Sequence, residues 1–398
     1  MSPGLYLLTQ GVFWLCLGLL FYTFAGYHLL MWLWARALPA TAPPAVPDTA
    51  LPVISLVLVA YNEQSRVPAR LANLLASDYP AALLEILLLS DGSTDGTVAA
   101  AEEFARAHHL DEARMRVFAR PERRGKSACL NAGVEAARGE LVAFADARQE
   151  FAPDTLRRLA EAFVHCPRAG AVSGSLEIAA SGAGAAGGVD VYWRLEKLLR
   201  RSEAVIDSAI GCTGAVYAIR RELYQPTPED TLVEDVVIPM RIAQRDAGWR
   251  VLFEPAAVAY DPQKLEPERE KQRKRRTLAG NFQMLTRYPA WLLPGGHRLW
   301  WQLISHKYLR LGGPLFLLGM FGAGVLLALC PPASAGWLTL GYQGILTGQI
   351  LFYGLAALGM AHPESRSKAL SIPAAFVFLN LQVVEGLGYF LRRKQAGW

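Results

Sequence analysis

Three patterns succeed one another along the chain. Residues 1–35 contain no Lys, Arg, Asp or Glu, and "LYLLTQGVFWLCLGLLFYTFAGYHLLMWLWA" is an apolar run of about 30 residues, enough to cross a bilayer with tilt. From about residue 50 the pattern changes to short, continuously apolar, β-branched runs that end in polar residues, separated by amphipathic stretches. "VISLVLVAYNE", "LEILLLSDGSTDGT", "MRVFA" and "ELVAFAD" read as buried strands. Residues 65–77, "TVAAAEEFARAHH" and "GKSACLNAGVEAARG" read as the helices between them, with Asp95 placed to cap the second. After residue 310 three more apolar segments follow, "LGGPLFLLGMFGAGVLLALC", "LTLGYQGILTGQILFYGLAALGM" and "ALSIPAAFVFLNLQVVEGLGYF". The last is interrupted by Gln382 and Glu385, so it either spans, re-enters or lies at the interface.

This alternation predicts an α/β fold with a mostly parallel, doubly wound sheet and membrane helices at both ends. The domain plan is an anchor over 1–35, a Pro/Ala-rich linker over 36–50, a soluble domain over 51–290, a juxtamembrane segment over 291–310 and about three membrane segments over 311–391. A secretory signal would have a basic start and a shorter apolar core, so the first segment reads as an uncleaved anchor. "AASGAGAAGG" reads as a flexible loop. In a doubly wound sheet, ligands bind beyond the carboxyl ends of the strands, which would bring Tyr61 to Glu63, Asp91 to Ser93 and Asp146 to one crevice.

Charge places the domain. Arg36 follows the first anchor, and Lys271, Arg273, Lys274, Arg275 and Arg276 precede the second, so by the positive-inside tendency the segment between them faces the cytoplasm. The expectation is a multi-pass protein of the inner (plasma) membrane. The formal net charge of +5 fits affinity for lipid surfaces and makes no case for nucleic acid. The five cysteines lack paired spacing, which argues against structural zinc. There is no GxGxxG after the first strand and no GxxxxGK[ST], disfavouring dinucleotide oxidoreductases and P-loop ATPases.

"VAYNE", "SDGSTDGT", "RGKSACLNAG", "FADAR", "GCTGAVYAIRRELY" and "LVEDVVIPMRIAQRDAGWRVLFEPAAVAYD" occur in the order and rough spacing of the membrane-bound inverting glycosyltransferases of family 2, which include cellulose-, chitin- and hyaluronan-synthase-like enzymes. The resemblance covers about residues 50–285. It implies a GT-A fold, a nucleotide-sugar donor (most often a UDP-sugar) and a lipid-linked or growing-glycan acceptor, with polysaccharide export partners a further possibility. Tyr61, Glu63, Asp91 and Lys126 fall on its donor-nucleotide positions, Asp146 on the first aspartate of its Asp-x-Asp metal motif, and Asp235 on its catalytic base. A carboxylate in reach of an acceptor hydroxyl suits that last role, with Glu234 as support, or as base if the register is one residue off.

Two departures stand out. Where the family carries QxxRW the chain has "QRKRRTLAGNFQ", in which either Gln272 and Arg275 or Arg273 and Arg276 frame the motif, with arginine or threonine in place of tryptophan. Where it carries Asp-x-Asp the chain has Asp146-Ala147-Arg148. Either Mg²⁺ or Mn²⁺ still binds through Asp146 and the donor phosphates, with Arg148 assisting, or Arg148 itself supplies part of the leaving-group stabilisation. The alternative for Arg148 is simple pairing with Glu150 or Asp146. Two other classes fit parts of the pattern: an inactive scaffold of an export complex, and a nucleotidyltransferase.

Overall fold

The structure, a computed structural model, describes all residues except 40–43, 179–184, 247, 262–266, 333–335, 366 and 397–398. Strands β1 (Ile54–Ala60), β2 (Leu84–Ser90), β3 (Met115–Ala119) and β4 (Leu141–Asp146) form where the apolar runs predict them. They run parallel in the order β3-β2-β1-β4. Three short helices connect or cover them, α2 (Val67–Leu75), α3 (Thr97–Ala107) and α4 (Lys126–Ala136). Gly96 is the cap residue of α3, and Asp95, one residue before it, accepts from the Thr97 amide through Oδ1 at 3.0 Å.

The second half of the sheet adds β5 (Glu150–Phe151), β6 (Ala169–Ile178), β7 (Val216–Arg220) and β8 (Arg250–Asp261), giving the full order β3-β2-β1-β4-β7-β6-β8-β5. It departs from a uniform parallel sheet. β7 is antiparallel to both β4 and β6, and β5 is antiparallel to β8, whereas β6 and β8 are parallel. The cause is the entry point of β7. After α6 (Ala185–Ile206) the chain turns at Gly211–Gly214, beside the carboxyl end of β4, where Ala145 faces Val216, and so runs back down the sheet. The Gly/Ala stretch read as a loop falls partly outside the described residues, and α6 begins within it.

Alternating side chains of β1 enter two cores. Ile54, Leu56 and Leu58 face one side with α2 and with α5 (Thr155–His165), while Val57 faces the other with Leu130 and Val134 of α4. The second core does not stop at the soluble domain. It continues through α7 (Glu234–Arg245) to Trp291, Leu303, Leu311 and Val383. The last three belong to α9 (Trp300–Leu329) and α11 (Lys368–Ala396), so the sheet and the membrane helices share one apolar core.

Among the described residues four helices are long and apolar enough to cross a membrane: α1 (Pro3–Arg36), α9, α10 (Trp337–Ala361) and the Lys368–Arg392 part of α11. These mark a membrane protein. α9 starts at Trp300, inside the stretch assigned to the juxtamembrane segment. The basic run lies on α8 (Pro267–Arg287), which packs along α11. Lys271 approaches Glu385 at 3.7 Å, and Arg275 lies over the ring of Tyr389. Glu385, the charge that interrupts the last apolar segment, thus has a cation beside it.

The β6–β8 register slips between Ser173 and Ser175, and Gly174 fills the slip. A Cβ there would meet the Ala257 carbonyl oxygen and the Val216 side chain. Gly174→Ala should therefore cost about 1–3 kcal/mol, as overpacking does, and lower the thermal midpoint in detergent. Gly11→Ala, whose added carbon meets nothing within 4 Å, should leave it unchanged; equal midpoints for both variants would contradict this packing.

Candidate active site

The carboxyl ends of β1, β2 and β4 lie at one edge of the sheet, and the loops beyond them are knitted together. Asn62 adopts a left-handed conformation (φ 54°) and accepts from the Thr94 amide at 2.8 Å, while its own amide donates to Ser93 Oγ at 3.1 Å. Gly92 is also left-handed, and a Cβ there would strike the backbone of Arg123. The β1 and β2 loops thus hold each other and the segment leading into α4. Tyr61 is 37% exposed and carries the Arg123 guanidinium 4.0 Å from its ring centroid. Glu63 pairs with Arg66 at 2.5 Å, and its amide donates to Thr97 Oγ1.

Asp91 is buried. Its carboxylate accepts from the Arg124 amide at 2.9 Å and the Gly125 amide at 3.0 Å. Those bonds set the start of α4, where Gly125 has φ +96° and Lys126 is the first helical residue. Asp91 thus fixes the direction in which Lys126 leaves the backbone.

Lys126 joins three segments. Its ammonium lies 2.9 Å from Asp146 Oδ1 at the tip of β4, 2.9 Å from Glu234 Oε1 at the start of α7, and 3.4 Å from the Gly214 carbonyl. Burial alone would pull its pKa down, but the two carboxylates outweigh it and the net shift is upward. The lysine stays charged. Beneath the tip of β4 the buried Arg70 donates to the Asp146 carbonyl at 3.2 Å and covers the Phe151 ring.

Asp235 follows Glu234 but points elsewhere, and its carboxylate has no hydrogen bond or ion pair with any described residue. A Cβ on Gly214 would sit 3.1 Å from Asp235 Oδ2, so the glycine leaves the space beside the carboxylate open. Burial, then the neighbouring Glu234 charge, push the Asp235 carboxyl up to about 6, against the pull of Lys126, Arg200 and Lys307. A partly buried carboxylate with no partner and a pKa in this range is suited to take a proton from an incoming hydroxyl.

Arg148 differs from its expected surroundings. Its guanidinium pairs with neither Asp146 nor Glu150; it donates to the buried Asp261 at the end of β8 at 2.6 Å, and Gln149 Nε2 donates to the same oxygen at 3.1 Å. This ties the loop after β4 to β8. Arg273 and Arg276 lie on α8, where Arg276 is exposed and the Arg273 carbonyl accepts from Thr277. The structure therefore brings together Asp91, Lys126, Asp146, Glu234 and Asp235, keeps Tyr61 and Glu63 on the adjoining loops, and holds Arg148 at Asp261. Sequence reasoning assigned no part to Gly214, although it lies in the quoted "GCTG", nor to Asp261, although "AYD" mirrors the strand-end aspartates elsewhere. Nothing local in "VPAR" marks Arg70.

Residues 55–225 match the family described as glycosyl transferase family 2. That stretch, somewhat over two-fifths of the chain, carries the family's sequence pattern. Among its curated relatives is the poly-beta-1,6-N-acetyl-D-glucosamine synthase of Staphylococcus epidermidis, 26% identical over 267 residues, covering 65% of this chain and 59% of that protein. The chain thus aligns with about three-fifths of that relative's length. The dolichyl-phosphate beta-glucosyltransferase of Drosophila melanogaster is 34% identical over 110 residues, covering 26% of this chain and 33% of that one. Among solved structures, the mannosyltransferase PcManGT from Pyrobaculum calidifontis, in complex with GDP-Man and Mn2+, superposes with a TM-score of 0.70 at 23% identity, covering 96% of this chain and 99% of that one. The chain shares that fold, a GT-A architecture.

The geometry predicts a pH dependence. Glycosyl transfer that needs Asp235 unprotonated should lose kcat/KM as pH falls through about 6. In Lys126→Met, loss of the nearby cation should destabilise the carboxylate and move that limb to higher pH. Initial-rate profiles of both proteins check this; a limb at the same pH in both would contradict the arrangement.

Proposed function

We propose that the protein moves a sugar from a nucleotide-sugar donor, a UDP-sugar being the class the resemblance favours, to a lipid-linked or growing-glycan acceptor at the cytoplasmic face of the plasma membrane, with inversion at the anomeric carbon. The observation that carries this reading is the Asp235 carboxylate, open and unpaired, next to the junction of Lys126, Asp146 and Glu234. An inverting displacement needs one base, and one carboxylate is free to act. Its relatives include a polysaccharide synthase and a dolichyl-phosphate glucosyltransferase, so both acceptor classes stay in view.

The donor nucleotide lies over the β1 and β2 loops. Tyr61 stacks on the base once Arg123 yields the ring, and Glu63 and Asp91 bound the ribose side, with Asp91 keeping Lys126 in place from beneath. Lys126 faces the diphosphate and releases its hold on Asp146 as phosphate oxygens arrive. Arg148 reaches the diphosphate only by leaving Asp261, whereas Arg273 and Arg276 approach it from α8. Glu234 keeps the Lys126 end of α7 fixed while Asp235 takes the acceptor proton.

The residues present fit a divalent ion in one way only. No group of three or more His, Cys, Asp or Glu among the described residues is placed to hold one, but the Asp146 side chain is 38% exposed, and magnesium commonly uses one or two carboxylates plus phosphates. Asp146 together with donor phosphates would hold Mg²⁺ or Mn²⁺, which when bound would neutralise charge on the departing diphosphate.

Asp235→Asn should abolish transfer, by about 10² to 10⁴ in rate, while leaving nucleoside diphosphate affinity within a few-fold, because the base lies outside the nucleotide pocket. Product analysis and calorimetry check both halves. Release of pyrophosphate instead of nucleoside diphosphate by the wild type would assign a nucleotidyltransferase, and retention of more than about a tenth of the activity in Asp235→Asn would move the base elsewhere.

A further inference from the structure

Where α6 meets α1 and α9, two carboxylates are taken deep into the protein. Glu196 and Glu203 are both buried, and each is fully engaged. His306 wedges between them, with Nε2 2.8 Å from Glu196 Oε1 and Nδ1 3.0 Å from Glu203 Oε2. Arg310 and Arg200 add contacts to Glu196 at 2.8 and 3.3 Å, and the Tyr27 hydroxyl donates to Glu203 at 2.8 Å.

Lys307 is left over. It lies in the π-helical stretch Ile304–Tyr308 of α9, one residue past His306, and is partly buried, yet its ammonium makes no hydrogen bond or ion pair with any described residue. Glu196 is already paired with Arg200 and Arg310, Glu203 is held by His306 and Tyr27, and Asp235, also nearby, makes no ion pair with Lys307. A cation withdrawn from water without a counter-ion is unfavourable, and it is tolerated where an anion is to arrive. Arg200 extends the same positive surface toward the active site. Its Nη1 donates to Thr213 Oγ1 at 3.0 Å, and the next residue, Gly214, borders Asp235. Lys307 and Arg200 are also near enough to favour the charged form of Asp235.

The same helix leads to apolar space. Leu317 and Met320, with Leu20, Ile345, Phe352 and Phe376, line a cavity of about 290 Å³. Leu317 is ten residues on from Lys307, about 15 Å along a helix axis.

We propose that Lys307, with Arg200 beside it, binds the phosphate of a lipid-linked acceptor whose tail lies along α9, so that the accepting group beyond the phosphate meets Asp235. A phosphate matches the unpaired Lys307 with Arg200, already on Glu196, at its flank, and an apolar tail matches the cavity; a soluble sugar acceptor would need neither. This rests on the glycosyltransferase reading above.

The test uses the full chain in nanodiscs of neutral lipid, with three probes: a long-chain isoprenyl monophosphate, the matching alcohol and inorganic phosphate. Thermal stabilisation by each is titrated in wild type, Lys307→Gln and Lys307→Arg. The isoprenyl phosphate should stabilise the wild type and the alcohol should not. Its apparent affinity should fall about tenfold or more in Lys307→Gln and recover partly in Lys307→Arg. Without ligand, Lys307→Gln should melt no lower than wild type, since Lys307 makes no ion pair or hydrogen bond with any described residue for the change to break. Equal stabilisation by alcohol and phosphate, equal affinity for inorganic phosphate, or an unchanged affinity in Lys307→Gln would each overturn the assignment. UDP and GDP binding to the same preparations separates the two readings: loss of all nucleotide binding in wild type would count against the transferase reading, whereas intact nucleotide binding with no lipid-phosphate effect would count against this site alone.

Discussion

The site is organised by the Lys126 ammonium held between Asp146 and Glu234. These two carboxylates come from segments that share no secondary structure, the tip of β4 and the first turn of α7, and they would repel each other without a cation between them. The lysine lies where it does because Asp91 spends its carboxylate on the Arg124 and Gly125 amides. The order of dependence therefore runs from a buried aspartate, to the start of a helix, to a lysine, to the two acidic segments, and Asp235 is oriented as a consequence. Because Glu234 faces the lysine, its neighbour on the helix is turned toward the space beside Gly214. A pair of adjacent acidic residues is thus divided into one that holds structure and one that is free for chemistry.

The same economy governs the join between the soluble domain and the membrane. One sheet face shares its core with Leu303 and Leu311 of α9 and Val383 of α11, so the catalytic edge stands at a fixed height above the membrane helices. The Glu196, His306, Glu203 and Arg310 cluster adds directionality to that apolar contact. Ion pairs with such partners are costly to misalign, and they select one rotation of α9 relative to α6. On the proposed function, a membrane-embedded acceptor would then meet Asp235 at a constant distance, which a tether alone would not ensure.

Much of this was legible in the chain, for identifiable reasons. β1, β2 and β4 are buried on both faces, so their apolar runs are continuous and their polar ends mark the crevice; Asp91 and Asp146 could be found in that way, whereas Asp235, at the start of α7, was marked only by the resemblance of "LVEDVVIPMRIAQRDAGWRVLFEPAAVAYD". β7 was harder, because "VYAIR" looks like any other strand and its direction is set by where the preceding helix delivers it. Arg148 was visible as a cation in place of a carboxylate, but its partner Asp261 is 113 residues away, and no local pattern encodes that pairing. Asp91 looks from the sequence like a ligand group, whereas its first role in the fold is to hold the backbone that presents Lys126. The long-range charges, Arg200 and Lys307, were hidden for the opposite reason: one sits in an amphipathic helix and one at the base of an apolar one, where basic residues are ordinary.

On the proposed function, Asp235 is the carboxylate left free to take the acceptor proton, while Glu234 stays on Lys126 and Asp146 is released only to the donor phosphates and their ion. A carboxylate that deprotonates the acceptor hydroxyl supports direct displacement at the anomeric carbon, which inverts it. The most direct test is the anomeric configuration of the first product, read by proton NMR from a donor of known configuration before any mutarotation. The inverted anomer is the expected product. A product with the donor's configuration retained would contradict it, because direct displacement with Asp235 as the base must invert that carbon.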